Sequence, residues 1–376
     1  MARVLILSAS VGAGHTRAAQ AVELAVGAIA PGVETRHVDM MEMTNAVFRR
    51  VYREGYFDVI RVAPHLAGML YDLSDRARPE KPAKGLARLV QKANFHKFYE
   101  VIEEPWDLVI CTHFLGADLL SQLRRRGKFK TPVVSVVTDF DAHALWATEP
   151  TDRYFVASID AQLALEHWGV PPVKIEITGI PIHPVFSERK TVEGCREKHG
   201  LLQDRPCVLV LSGGCGVGPV EQVVRAVLAA KTPLQLVVLC GKNEKLKAQM
   251  AKVKAPARHT LKLMGFTTEI DELLRASDLV VSKPGGLTTS EVLATGAAMA
   301  IMNPIPGQES RNSDMLLEAG AAIKINSAAQ ATEKVSRLLA DPARLVKIRA
   351  NAKGLGRPRA AFVVAERALE EAGVGK

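Results

Sequence analysis

Short apolar runs alternate with helical stretches along nearly all 376 residues, and this alternation narrows the fold more than any other feature. The run at 4–7 is followed by a helical stretch at 17–28, that at 108–111 by 116–126, and those at 133–137 and 154–156 by 161–167. After Pro181 the pattern restarts: 208–211 then 220–230, 234–239 then 244–253, 279–281 then 289–295. Alternation of this kind predicts parallel sheets covered on both faces by helices. Two such sets are separated by Ile180-Pro-Ile-His-Pro184 and a charged stretch over 187–205. They predict two Rossmann-like, doubly wound α/β domains facing a cleft. The expected division is 1–185, a linker at 186–205, a second domain at 206–355 and a final helix at 356–376.

With 48% hydrophobic and 24% charged residues, the chain is globular and long enough for two cores. Its cysteines, 111, 195, 207, 215 and 240, show no CxxC or Cys/His ligand spacing, which predicts reduced core thiols of a cytosolic protein and no metal site. The N-terminal apolar run is too short for a signal peptide, and no run approaches a spanning helix, so a soluble or peripheral protein is expected. The net charge of +9 is uneven: residues 1–185 hold 21 Lys+Arg against 21 Asp+Glu, and residues 186–376 hold 28 against 19. Within the neutral half, Arg76, Arg78, Lys81, Lys84, Arg88, Lys92 and Lys97 face only Glu80, and a second cluster spans 124–130. These clusters suit an anionic polymer or membrane surface, or a solvated helix face.

In doubly wound folds ligands bind beyond the carboxyl ends of the strands, so the post-strand loops matter most. Residues 282–312 form the richest of them. A strand ends at Ser282, Pro284-Gly285-Gly286 turns, and a helix is expected from Thr288 onward. Such a turn offers free N–H groups and a positive dipole end to an anion such as a nucleotide diphosphate. Glu291, expected in the first helical turn, has two readings: it binds both ribose hydroxyls, or it closes a capping box with Thr288. A second turn, Pro306-Gly307-Gln308-Glu309, follows the apolar run at 298–302 and places polar side chains for ligands.

Three further loops add to this set. Gly214 and Gly216 lie in a glycine-rich loop after 208–212 that lets backbone approach a phosphate, although it is neither a Walker A loop nor a dinucleotide fingerprint. Lys242 and Asn243 bring a cation and an amide after 234–240. Gly265-Phe266 either meets a base edge under a covering ring or anchors the core. The set as a whole points to a nucleotide.

In the first half, Ser8-Ala-Ser-Val-Gly-Ala-Gly14-His15 joins a strand to a helix expected from Thr16. There the dipole disfavours the imidazolium, and a neutral His15 can take a proton from an alcohol. The competing reading is a capping or loop-packing histidine, against which the flanking glycines clear space beside the ring. His113, Asp139, His143 and Trp146 follow later strands; Asp139 and His143 are candidates to contact an acceptor or orient His15, and Asp139 is the second candidate base. Between 44 and 71 the chain mixes aromatics with arginines, and Val47, Val51, Tyr52 and Gly55 recur at helical spacing opposite the arginines, as in an interfacial amphipathic helix or one packed on its own domain.

The stretches 8–15, 137–143 with Trp146, 153–158, 178–182 and 282–312 together resemble the monogalactosyldiacylglycerol synthase and processive diacylglycerol glucosyltransferase group, in order over roughly residues 3 to 350. The C-terminal half is more distantly similar to the peptidoglycan lipid-linked N-acetylglucosaminyltransferase. The resemblance implies a GT-B fold whose last helix returns to the first domain. It also implies an inverting transferase, needing no metal or other cofactor, that moves galactose or glucose from UDP-galactose or UDP-glucose to diacylglycerol. By matching motif, His15 is the base, Glu291 binds the ribose, Gly265 and Phe266 meet the uracil, Gly285, Gly286, Thr288 and Thr289 hold the diphosphate, and Gln308 and Glu309 contact the hexose. Ser282, Lys283 and Asn312 complete the expected donor set, and Gly14, His113, Asp139, His143 and Trp146 the acceptor set. A cytoplasmic protein peripheral to an anionic membrane surface, with no nucleic acid partner, is expected. A UDP-sugar epimerase or hydrolase, a UDP-GlcNAc-dependent lipid-linked transferase, and a non-catalytic nucleotide-sugar sensor are the alternatives.

Overall fold

The structure, a computed structural model, describes residues 1–45, 49, 64–76, 94–212 and 220–374. The chain forms two compact units: Met1–Pro184 with Ile305–Arg311 and Arg359–Lys376, and Val185–Pro304 with Asn312–Pro358. Most of the segment at 44–71 and of the basic cluster at 76–97, together with Gly214, Gly216 and Cys215, lies outside the described residues.

The first unit runs β1 (Arg3–Ser8), α1 (Ala13–Ile29), β2 (Glu34–Asp39), α2 (Pro64–Arg76), α3 (His96–Ile102), β3 (Leu108–Cys111), α4 (Phe114–Arg124), β4 (Val133–Val136), β5 (Arg153–Val156), α5 (Ile159–His167) and β6 (Ile175–Ile177). Its sheet is parallel, in the order β2-β1-β3-β4-β5-β6. Successive strand side chains point to opposite faces, so an interior strand needs apolar residues at every position. Accordingly Leu5 and Leu7 enter one core with Phe98 and Leu120, while Val4 and Ile6 enter another with Val22 and Ala25. Edge strand β2 has exposed Glu34 and Arg36 beside buried Val38.

The second unit runs α6 (Val192–Lys198), β7 (Cys207–Leu211), α7 (Val220–Leu228), β8 (Gln235–Leu239), α8 (Glu244–Met250), β9 (Thr260–Met264), α9 (Ile270–Ala276), β10 (Leu279–Ser282), α10 (Gly286–Thr295), β11 (Ala298–Met302), α11 (Gln308–Glu318), β12 (Ala322–Ile325), α12 (Ala328–Leu339) and α13 (Pro342–Leu355). The sheet is again parallel, in the order β12-β11-β10-β7-β8-β9. The first residues of α11, Gln308 to Arg311, count with the first unit. So does α14 (Ala360–Glu371), whose Ala361, Val364, Ala365 and Ala368 pack in the core that holds Val22 of α1.

The charged stretch after Pro184, read as a linker, is built into the second unit. Lys190 pairs with Asp271 at 2.7 Å, and Arg196 reaches Asp278 at 2.7 Å and the Ala276 carbonyl at 3.0 Å. Its charges are thus answered by residues some eighty positions away.

Both sheets reverse strand order at one point, β1 lying between β2 and β3, and β7 between β8 and β10. Loops leaving neighbouring strands diverge there and leave a crevice for ligands. The His15 loop follows β1 and Thr112-His113 follows β3; the glycine turn at 284–286 follows β10. Each of these motifs therefore sits at the switch point of its own sheet.

Candidate active site

In the first unit, α1 starts at Ala13, three residues earlier than expected, because Gly12 adopts φ +113° and turns the chain directly after β1. His15 then lies in the first helical turn, half-buried. Its Nδ1 is 3.0 Å from the Thr112 carbonyl oxygen and 2.8 Å from Thr138 Oγ1. A carbonyl only accepts, so the ring proton sits on Nδ1 and Nε2 keeps the lone pair. Burial pushes His15 down to about 4, partly opposed by the Thr112 carbonyl. The ring is therefore neutral at physiological pH, and burial causes this directly, whereas the sequence reading invoked the helix dipole. A Cβ added to Gly14 would meet nothing within 4 Å, so the backbone beside His15 is open.

The other expected acceptor residues separate into different roles. His113 caps α4, its Nδ1 accepting from Leu115 N–H at 3.1 Å, and its ring centre lies 4.6 Å from that of His15. Trp146 is buried, 6.4 Å from both rings. His143 is committed to the protein: Nδ1 accepts from Leu145 N–H, and Nε2 lies 3.2 Å from the Tyr71 carbonyl and 3.0 Å from Ser74 Oγ. It braces the loop carrying Asp139, which is half-buried. Thr112 and Thr138 orient the His15 ring, while the ring of His143 is held by Tyr71, Ser74 and Leu145.

The turn at 306–309 also counts with the first unit. Gly307 has φ +97°, and a Cβ there would stand 2.8 Å from the Tyr71 ring. Glu309 spends one oxygen on the Ile305 amide at 2.7 Å, beside half-buried Gln308. Sequence reading passed over Arg311, which pairs with Asp75 at 2.7 Å and Asp141 at 3.0 Å.

In the second unit, α10 begins at Gly286 with Gly285 as its N-cap and no side-chain cap. This corrects two expectations. Thr288 is the third residue of the helix, so it forms no capping box, and Glu291 lies in the second turn instead of the first. Glu291 is 2% exposed. The first intrahelical bond is Thr289 N–H to the Gly285 carbonyl at 2.9 Å, which leaves the amides of Gly286, Leu287 and Thr288 without helical acceptors. Thr289 Oγ1 is buried with no partner. Ser282 is buried and Lys283 half-buried. Asn312, fully buried, donates to the Pro284 carbonyl at 3.0 Å and so holds the turn's backbone.

On the same unit Phe266 is 64% exposed, which excludes the core-anchor reading. Lys242 Nζ lies 5.2 Å from its ring centre. Asn243 caps α8, its Oδ1 accepting from Leu246 N–H at 2.9 Å. Lys247 Nζ, also unforeseen, would lie 3.5 Å from a Cβ on Gly265. Among the described residues, His199, Glu269 and Glu272 stand close enough to share a metal ion. Glu272, however, already binds Lys198 at 2.8 Å and Lys190 at 3.0 Å, which hold its carboxyl down to about 2. These bonds make it the centre of an ion-pair network.

Residues 15–182 match the Monogalactosyldiacylglycerol (MGDG) synthase family, and residues 207–355 match the Glycosyltransferase family 28 C-terminal domain. The processive diacylglycerol beta-glucosyltransferase of Bacillus subtilis (strain 168) is 30% identical over 378 residues, covering 98% of this chain and 95% of that protein. Its counterpart from Bacillus cytotoxicus is 31% identical over 374 residues, covering 98% and 94%. Among solved structures, Acinetobacter baumannii MurG superposes with a TM-score of 0.63 at 18% identity, covering 98% of this chain and all of that one. Anabaena Alr3699/HepE in complex with UDP-glucose gives 0.57 at 13% identity, covering 98% and 99%. These likenesses establish the GT-B fold with its two Rossmann-like domains. With the near-complete coverage by relatives, the chain belongs to the family of the monogalactosyldiacylglycerol synthases and processive diacylglycerol glucosyltransferases.

Proposed function

We propose that the protein is an inverting hexosyltransferase that moves glucose from UDP-glucose to the free hydroxyl of 1,2-diacylglycerol, forming a β-glucosyl diacylglycerol at the cytoplasmic face of a membrane. The names of its relatives support diacylglycerol as acceptor and glucose as the hexose. The observation that carries the reading is the bonding of His15. With Nδ1 bonded to Thr112, a neutral Nε2 is available to take the acceptor's proton. The amides at the start of α10 suit the leaving diphosphate, Glu291 the ribose and the exposed Phe266 the uracil. Helix dipole and amides offset the charge developing on the diphosphate, so no metal is called for in the transfer step.

Diacylglycerol must be drawn from a bilayer, and α2 suits that task. Its Leu66, Met69 and Leu73, on one helical face, are 45%, 54% and 51% exposed. No helix of the described residues is long and apolar enough to cross a membrane. The deciding test is incubation with liposomes containing diacylglycerol and either UDP-glucose or UDP-galactose, followed by identification of the lipid product. Formation of a β-glucosyl lipid is expected. A galactosyl product would overturn the donor assignment, and sugar released without lipid product would overturn the acceptor.

A further inference from the structure

Two histidines of the first unit open helical segments in the same way. His113 Nδ1 accepts from Leu115 N–H, and His143 Nδ1 from Leu145 N–H, both at 3.1 Å. A ring nitrogen that accepts carries no hydrogen, so each neutral ring holds its proton on Nε2. His143 has uses for that N–H in the Tyr71 carbonyl and Ser74 Oγ. His113 Nε2 has no hydrogen-bond partner among the described residues, although the residue is only 3% exposed. A donor left this way in an otherwise buried ring is a place for a ligand atom.

The neighbour of that ring is His15, edge to face with centres 4.6 Å apart and planes at 84°. Phe114, 4.2 Å from His113, and Trp146 enclose the pair. The two imidazoles hold opposite tautomers. His15 is bare at Nε2, and His113 is protonated at Nε2. An alcohol about to lose its proton needs both: a base for its hydrogen and a donor for its oxygen.

We infer that His113 is a second active-site histidine, which donates from Nε2 to the acceptor's hydroxyl oxygen and points its hydrogen at His15. This rests on the reading of His15 as the base. The hydroxyl proton passes to His15 Nε2, the oxygen bonds to the sugar's anomeric carbon, the bond from that carbon to the diphosphate breaks, and UDP leaves with the electron pair. His113 keeps its own proton throughout. Its hydrogen bond strengthens as negative charge grows on the oxygen, so it favours the transition state over the ground state.

The variant that isolates this role is H113N, because asparagine keeps a side-chain oxygen to cap α4 and lacks the distant N–H. Transfer from UDP-glucose to diacylglycerol in vesicles is measured for the parent, H113N, H15A and the double variant, with thermal midpoint and UDP affinity alongside. H113N is expected to lose kcat on the order of 10²-fold, with midpoint and UDP affinity unchanged. The double variant should be no slower than H15A, since aiming a hydroxyl at an absent base achieves nothing. H113N turning over within about twofold of the parent would reduce His113 to a helix cap, as would multiplying losses in the double variant. A lowered midpoint with matching loss of UDP binding would overturn the inference in favour of a packing role. Absence of transfer by the parent sinks the reading of function and this inference with it; normal transfer by H113N sinks this inference alone.

Discussion

The backbone carbonyl of Thr112 lies 3.0 Å from Nδ1 of His15 and thereby decides which nitrogen of that ring is basic. Thr112 follows β3 and His15 follows β1, so the bond exists only because these strands pair, Leu7 beside Cys111. Both hydrogen-bond partners of Nδ1, Thr112 and Thr138, are uncharged, which leaves burial as the main influence on the ring.

The pH profile should carry this signature. As the proposed base, His15 acts only when neutral, and burial places its midpoint at about 4, below the usual histidine value of 6.5. Activity is therefore present above that midpoint and lost as the pH falls through it. The acid limb of kcat/KM is expected near pH 4; a limb near 6.5 would mean that another group, or a much wetter His15, is being titrated.

His15→Ala removes the proposed base and leaves the residues of the second unit unchanged. Transfer should fall by roughly 10²- to 10⁴-fold while UDP affinity, read by calorimetry, stays at the parent value. Near-normal turnover would remove His15 from the mechanism.

Glu291 is 2% exposed, so its partners are not easily replaced by water. Glu291→Ala is expected to weaken UDP binding by about 1–3 kcal/mol, roughly 5- to 150-fold. Unchanged UDP affinity would make the carboxylate purely structural.

Phe266→Ala separates the ligand role from packing. A ring that is 64% exposed adds little to the core, so the thermal midpoint should hold while UDP affinity falls, on the order of 1–3 kcal/mol for a stacked base. A lower midpoint with normal UDP binding would reverse this view.

Gly307→Ala forces a side chain into φ +97° and against the Tyr71 ring at 2.8 Å. A cost of about 1–3 kcal/mol in unfolding free energy is expected, visible in denaturant titration. The reference is Gly14→Ala, whose Cβ meets open space. Equal stability of the two variants would argue against the observed packing of the turn.

The strands that could be read from the chain are the buried ones. Leu108–Cys111 and Cys207–Leu211 are continuous apolar runs because both their faces are covered. The pattern missed β2, β6 and β12. Each is the edge of its sheet, and with one neighbour and partly exposed faces it tolerates residues such as Glu34, Glu176 and Lys324. At the site, glycine turns and the exposed loop content around His15 and Glu291 carry local signals and were legible. Thr112 was not legible in its role, because a backbone carbonyl has no residue identity.

The sequence by itself determined the α/β class, the two sets of strands, the glycine turns and the family, since these depend on local periodicity and residue type. Tertiary structure decided the order of the strands, and with it the placing of His15 beside Thr112 and His113. It also moved Glu291 out of the first helical turn, freed Phe266 from the core, and gave His143, Asn243 and Asn312 hydrogen bonds that brace the backbone. The reason is that burial, tautomer and hydrogen-bond partner are properties of neighbours brought together by folding, and residues 97 positions apart become neighbours only when their strands pair.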